Sequence, residues 1–165
     1  ETFLVYTNEE IVRKTEESKP KIIAIDAPLS LPAGRKSIEQ RTSVHLRECD
    51  KELLKRGIKF FPVTLGPMRK LTSRGITLRR TLESKHFKVI EVYPGGAQDI
   101  LKIPRKQQGL RELRAGLEKQ GIKGLNDRMN DHELDAVTCA LVGKLFLEGK
   151  TITYGTRQQA IVMPR

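Results

Sequence analysis

From Asp131 to Leu147 the chain carries an almost wholly apolar helical segment whose opening turns hold Asp131, His132 and Asp135. At roughly 100° per residue, the two aspartates lie about 40° apart on one helix face. Val142 projects between them and Thr138 lies beside them, so the acids occupy a stripe expected to be buried. Carboxylates are rarely buried unless they are paired or bound to a metal. Wherever this helix packs, its acids need a partner.

Helix capping accounts for part of the pattern. Asn130 can cap the helix, Glu133 three residues on can complete a capping box, and Asp131 at the first helical position is favoured by the helix dipole. Capping does not account for Asp135, which stands a full turn further in.

The 165 residues fit one domain spanning 1–165, large enough to bury a core. No apolar run approaches the roughly 18–20 residues of a membrane span, and no signal peptide is visible. Cys49 and Cys139 are far apart and in no metal-ligand spacing, which points to free thiols in a reducing, cytoplasmic setting. Charge is uneven: residues 33–88 hold fifteen Lys or Arg against five Asp or Glu, so this stretch carries +10 of the net +11. Such a block suits either a solvated surface or a polyanionic partner, most simply nucleic acid. With aromatic residues at 5% and no Trp, stacking platforms are not evident, and backbone phosphate contact is the better expectation.

Along the chain, Thr2 to Tyr6 reads as a strand, and Thr7 with Glu10 signals a capping box opening a polar helix to about Ser18. Lys21 to Ile25 is the apolar run of a strand buried on both faces, ended by Asp26-Ala27-Pro28, and the strand–helix–strand spacing predicts a right-handed parallel crossover. Residues 33–86 read as a basic helical insertion over the sheet, with helices from about Ser37 to Arg56 and from about Met68 to Ser84 around an extended stretch bracketed by Pro62 and Pro67. Phe87 to Tyr93 is a further strand, interrupted by Glu91. A short helix near Ala97–Leu101, another over Gly109–Gln120 and two extended pieces, Thr151–Tyr154 and Gln159–Met163, complete an α/β chain with a mixed sheet.

Ligands of open α/β sheets gather at the carboxyl ends of the strands. Asp26 ends the most apolar strand, just before a proline that cannot continue the ladder; it is either a turn residue satisfying local backbone or a functional acid. Glu91 is either a ligand or an exposed strand-edge residue. Acids from two strands and a helix N-terminus could converge, and convergent carboxylates are stabilised by a divalent cation. Mg2+ prefers oxygen ligands, and Mn2+ also accepts an imidazole such as His132. Such ions can activate water and clamp a scissile phosphate. No glycine-rich phosphate loop, Ser-His-Asp set or Cys-based zinc spacing competes with this.

Ile25-Asp26-Ala27-Pro28-Leu29-Ser30-Leu31-Pro32, Arg47-Glu48-Cys49-Asp50, Val89-Ile90-Glu91-Val92-Tyr93-Pro94-Gly95 and His132-Glu133-Leu134-Asp135-Ala136-Val137 occur in this order. Together with the closing Ala160-Ile161-Val162-Met163-Pro164, they resemble a family of predicted nucleases with a ribonuclease-H-like fold. The resemblance covers roughly Lys21 to Pro164, and the helix motif also resembles the last acidic helix of bacterial Holliday-junction resolvases. It implies two-metal-ion phosphodiester cleavage, with Asp26 as the strand-end acid, and Asp135 with Asp131 or His132 on the final helix. Glu91 matches the family's strand motif as an assisting acid. Arg47 and Asp50 lie on motif positions, as substrate-facing residues or as a structural ion pair. Domains of this fold usually open with a strand bearing an Asp, which this sequence does not display: either a segment of roughly 20–30 residues was removed or the lineage lost it. If the given chain is complete, weak catalysis or completion of the site by a second subunit in a homodimer is expected.

The expectation is a cytoplasmic Mg2+- or Mn2+-dependent nuclease. Asp26, Asp131, His132 and Asp135 would bind metal, and Arg69 and Lys70 of the basic region would hold the phosphates of DNA or RNA. The competing expectations are a non-catalytic nucleic-acid-binding module on the same fold, and a phosphotransferase or small-molecule phosphohydrolase on the related actin-like ATPase fold.

Overall fold

The computed structural model describes residues 1–156 and 158–165. In chain order the elements are α1 (Asn8–Ser18), β1 (Ile23–Ile25), α2 (Glu48–Lys55), α3 (Met68–Ser84), β2 (Val89–Glu91), α4 (Pro94–Ile100), a 3-10 turn (Lys106–Gln108), α5 (Leu110–Lys119), α6 (Asp131–Leu147), β3 (Thr151–Tyr154) and β4 (Ile161–Pro164). The α/β class follows from this order.

Strands β1 and β2 pair in parallel, with Ile23 opposite Val89 and Ile25 opposite Glu91. Strands β3 and β4 form a separate antiparallel pair, with Thr151 opposite Pro164 and Tyr154 opposite Ile161. Among the described residues the expected mixed sheet is therefore two short pairs. With a strand neighbour on one edge only, Ile23, Ala24 and Ile25 are half-buried rather than enclosed on both faces.

Helix α6 is apolar around much of its circumference, so both of its sides need cover. It packs on β1, β4 and α4. Cys139 and Val142 enter one core with Leu53, Val92, Ile161 and Met163, while Leu134 and Leu141 enter a second with Ile103, Leu113 and Leu117. The helix thereby holds its N-terminal acids against the carboxyl ends of β1 and β2.

Helix α3 fixes the same place from the other side. A Cβ added at Gly75 would lie 2.6 Å from the Pro28 carbonyl oxygen and 3.0 Å from the Ala27 Cβ. Only a residue without a side chain lets the helix lie this close to the turn after Asp26.

Both capping boxes form. The Thr7 hydroxyl accepts from the Glu10 N–H, and the Asn130 side chain accepts from the Glu133 N–H. Three local expectations are corrected. Residues 1–6 are not a strand: among the described residues no ladder partner pairs with them, and the Tyr6 N–H is drawn into the α1 cap by Glu10 Oε2 at 2.7 Å. The helix expected from Ser37 begins only at Glu48. Before it, the Arg35 guanidinium binds the Ile38, Thr42 and Val44 carbonyls, which removes acceptors that a helix would need. The stretch from Pro62 to Pro67 forms tight turns, closed by the Leu65 N–H on the Pro62 carbonyl and the Met68 N–H on the Leu65 carbonyl, rather than an extended run.

Candidate functional site

Asp26 follows β1 directly, and Glu91 ends β2 opposite Ile25, so the register brings both acids to one end of the parallel pair. Their surroundings differ sharply. Glu91 is buried and meets Arg47 end-on, with Nη1 to Oε2 and Nη2 to Oε1 both at 2.7 Å. The other edge of the guanidinium binds Asp50, Nη2 to Oδ1 at 2.8 Å. Burial opposes the charge of Arg47, but the attraction and hydrogen bonds of Glu91, followed by those of Asp50, outweigh it and raise its pKa further. Glu91 Oε2 also accepts the Leu29 N–H at 2.7 Å. Arg47 and Asp50 thus adopt the ion-pair arrangement of their two expected roles, and Glu91 shapes the turn that carries Asp26.

A second, open cluster surrounds the N-terminus of α6. Lys106, on the 3-10 turn, donates from Nζ to Asp131 Oδ2 and to Asp135 Oδ2, each at 3.0 Å. Burial works against the charge of Lys106, yet the bonds to the two aspartates raise its pKa above the ordinary value. The same contact lowers that of Asp131. Gln98 of α4, 1% exposed, donates from Nε2 to Asp135 Oδ1 at 3.2 Å and to Thr138 Oγ1 at 3.1 Å. One oxygen of Asp135 is therefore held by an amide and the other faces a cation.

Asp26 stands at the edge of this cluster. It keeps contact with solvent, but the protein crowded around its carboxyl withdraws enough water to raise its pKa to about 6, and the negative charge of Asp135 adds to the rise while Lys106 opposes it. A cavity of about 150 Å³ joins Asp26, Gln98, Lys106 and Asp135. His132 is largely exposed, with Nε2 3.9 Å from Asp131 Oδ1. The structure thus brings together Asp26, Asp131 and Asp135, with His132 at the margin, and diverts Glu91 into the buried ion pair.

Among the described residues, no group of three or more His, Cys, Asp or Glu side chains stands at metal-holding spacing. The donor chemistry nevertheless suits a hard divalent ion, since two helix carboxylates share one ammonium group and the strand-end Asp26 borders the same cavity as Asp135.

A family model described as a protein of unknown function, DUF429, matches residues 4–159, a span that takes in both clusters. The chain belongs to the DUF429 family. No curated protein and no solved structure matches it.

In this DUF429 chain, Arg69 and Lys70 lie exposed on α3 and line a shallow surface cavity with Asn8, Ser73 and Arg74. They make no ion pair among the described residues and do not touch the acids. Among the described residues, no helix is long and apolar enough to cross a membrane.

Sequence reasoning missed Lys106 and Gln98. Lys106 is one cation in a basic segment, with nothing local to distinguish it. Gln98 left a fainter signal, an amide directly after the small residues Gly95-Gly96-Ala97 of a short helix.

Proposed function

We propose that this DUF429 chain is a metal-dependent nuclease on a ribonuclease-H-like α/β framework. The observation that carries the reading is the convergence of Asp131 and Asp135 on Lys106, with Asp26 bordering the same cavity as Lys106 and Asp135. Asp26, Asp131 and Asp135 would hold Mg2+ or Mn2+, with His132 as an outer ligand. Such an ion, when bound, lowers the pKa of water and polarises a phosphoryl oxygen.

The chain's own residues prepare the site. Lys106 offsets the mutual repulsion of Asp131 and Asp135. Gln98 fixes Oδ1 of Asp135, so that Oδ2 points toward the cation. Glu91, locked by Arg47, holds the Leu29 N–H and with it the turn after Asp26, which makes it a positioning residue. The exposed cations of α3, Arg69 and Lys70 first, supply sequence-independent attraction for the phosphate backbone.

Mn2+ titration by calorimetry on the wild type and on its Asp26→Asn and Asp135→Asn variants tests the ligand set. Cleavage of labelled DNA and RNA oligonucleotides by the same proteins tests the reaction. The proposal expects both substitutions to weaken Mn2+ binding and to abolish cleavage while the fold is retained; activity within tenfold of wild type in Asp135→Asn would refute it.

A second reading, a non-catalytic nucleic-acid-binding module, draws on the Lys106 bridge itself. A tethered ammonium already neutralises the acids, so the site can persist without a metal. Salt-sensitive oligonucleotide binding in chelator, with no Mn2+ uptake, would favour this module.

A further inference from the structure

Asp26 borders a second cavity, which Lys106 does not line. It measures about 170 Å³ and is walled mainly by apolar side chains, among them Phe60, Phe61, Met68, Leu71 and Tyr93. The chain has only eight aromatic residues, and three of them meet here. Phe60 and Tyr93 are half-buried against the core, but core packing does not explain Phe61, which is 79% exposed, the most of any large hydrophobic side chain described. Leu71 and the neighbouring Leu65 are also exposed. An exposed ring and an exposed leucine at a concave site mark a place where something binds.

We infer that this pocket takes an unstacked nucleobase of a nucleic-acid strand, the base belonging to a nucleotide beside the phosphate held at the acids. The inference rests on the nucleic-acid reading above and adds how the strand is gripped.

Two arrangements single out this occupant. Helix α3 lines the pocket with Met68 and Leu71, while Arg69 and Lys70, on another face of the same helix, line a separate surface cavity. One helix therefore offers apolar contact for a ring and positive charge for the phosphates attached to it. A purely apolar ligand would gain nothing from those cations. In addition, Asp26 and Tyr93 line both this pocket and the cavity of Lys106 and Asp135, so a base seated here lies next to the acidic site. Tyr93 is held in place, its hydroxyl donating to the Lys59 carbonyl at 2.9 Å and accepting from Arg105 Nη1 at 3.2 Å. A fixed ring and a solvent-facing ring at the mouth form a stacking platform, which tolerates any base because every base has a π face.

The test is fluorescence anisotropy at low salt in chelator, so that no cleavage occurs. A labelled single strand of about 12 nucleotides is compared with a matched strand of abasic sugar-phosphate. Wild type is expected to bind the base-bearing strand roughly tenfold tighter than the abasic one. Phe61→Ala should erase that difference without lowering abasic affinity, and Phe61→Tyr should preserve it. Because the Phe61 ring is exposed, its removal leaves the core intact, and a thermal melt verifies this.

Equal binding of both strands by wild type would overturn the pocket while leaving phosphate-based nucleic-acid binding standing. Binding of neither strand would overturn the nucleic-acid reading and the pocket with it. If Phe61→Ala instead abolished self-association and left oligonucleotide affinity unchanged, the pocket would hold a second copy of the chain, and the inference would fall.

Discussion

Arg47 and Glu91, 44 residues apart in the chain, meet as a bidentate pair with both N–O distances at 2.7 Å and both side chains buried. This relationship divides the acids of the molecule into two sets. Glu91 and Asp50 are neutralised inside, where they hold α2 against the end of β2. Asp26, Asp131 and Asp135 remain near solvent with one lysine between them.

Removing the arginine should therefore be a stability lesion before it is a functional one. Arg47→Met would leave two carboxylates buried without a cation, at a cost of about 3–5 kcal/mol. Arg47→Lys should not rescue it, because an ammonium cannot make the forked contact to Glu91 while also binding Asp50. Urea unfolding followed by circular dichroism measures both; a loss below 1 kcal/mol in Arg47→Met would show that the network is not needed for folding.

Lys106 should compete with any divalent ion for Asp131 and Asp135. In Lys106→Met the two aspartates repel without a counterion, and a cation from solution meets no tethered rival. Mn2+ affinity is expected to rise by about tenfold, equivalent to ~1.4 kcal/mol. Calorimetry on the two proteins gives the answer, and unchanged or weaker binding would place the metal elsewhere.

Asp26 predicts a pH dependence of opposite sign to that of a typical paired carboxylate. Its pKa in the fold, about 6, lies above the ordinary 3.8, so between these values the native state holds more protons than the unfolded chain. The favourable protonated form is present below about 3.8, and its contribution is lost as pH rises through 6. Asp26→Asn removes that loss. In chelator, its melting temperature should match wild type near pH 4 and exceed it at pH 7.5. Solvent screening at this exposed residue limits the gain to about 1 kcal/mol, or ~2–4 °C. Differential scanning calorimetry at the two pH values decides; a variant less stable at pH 7.5 would contradict the crowding around this carboxyl.

Gly75 should tolerate no side chain. An alanine Cβ would stand 2.6 Å from the Pro28 carbonyl, so α3 or the turn after Asp26 must shift. Gly75→Ala is expected to lose about 1–3 kcal/mol despite the better helix propensity of alanine. A thermal melt of this variant against Ser73→Ala, an exposed position on the same helix, separates the clash from propensity.

The helices were legible where their signals are local. Thr7 with Glu10 and Asn130 with Glu133 place two N-termini through bonds spanning three residues, and α3 and α6 run from Met68 to Ser84 and from Asp131 to Leu147 as their composition predicts. Asp26, Asp131 and Asp135 stood out for a similar reason: a charge at the end of an apolar strand or within an apolar helix is visible without knowledge of its neighbours. The failures share a cause too. Thr2 to Tyr6 has strand composition, but a strand needs a ladder partner, and no residue's sequence reveals whether one is present. Ser37 to Arg47 lost its helix to the guanidinium of Arg35, a side-chain competitor that no helix pattern includes.

By itself, then, the sequence determined the α/β class, the capped N-termini of α1 and α6 and the acids that interrupt apolar segments, because each depends on contacts within a few residues. The tertiary structure alone decided what those acids do. Glu91 and Asp26 follow nearly equivalent strand signals, yet one is sealed against Arg47 and the other opens toward Lys106. The difference lies in long-range pairing: a carboxylate takes its chemistry from the nearest cation and from the water left around it, and both come from elements distant in the chain.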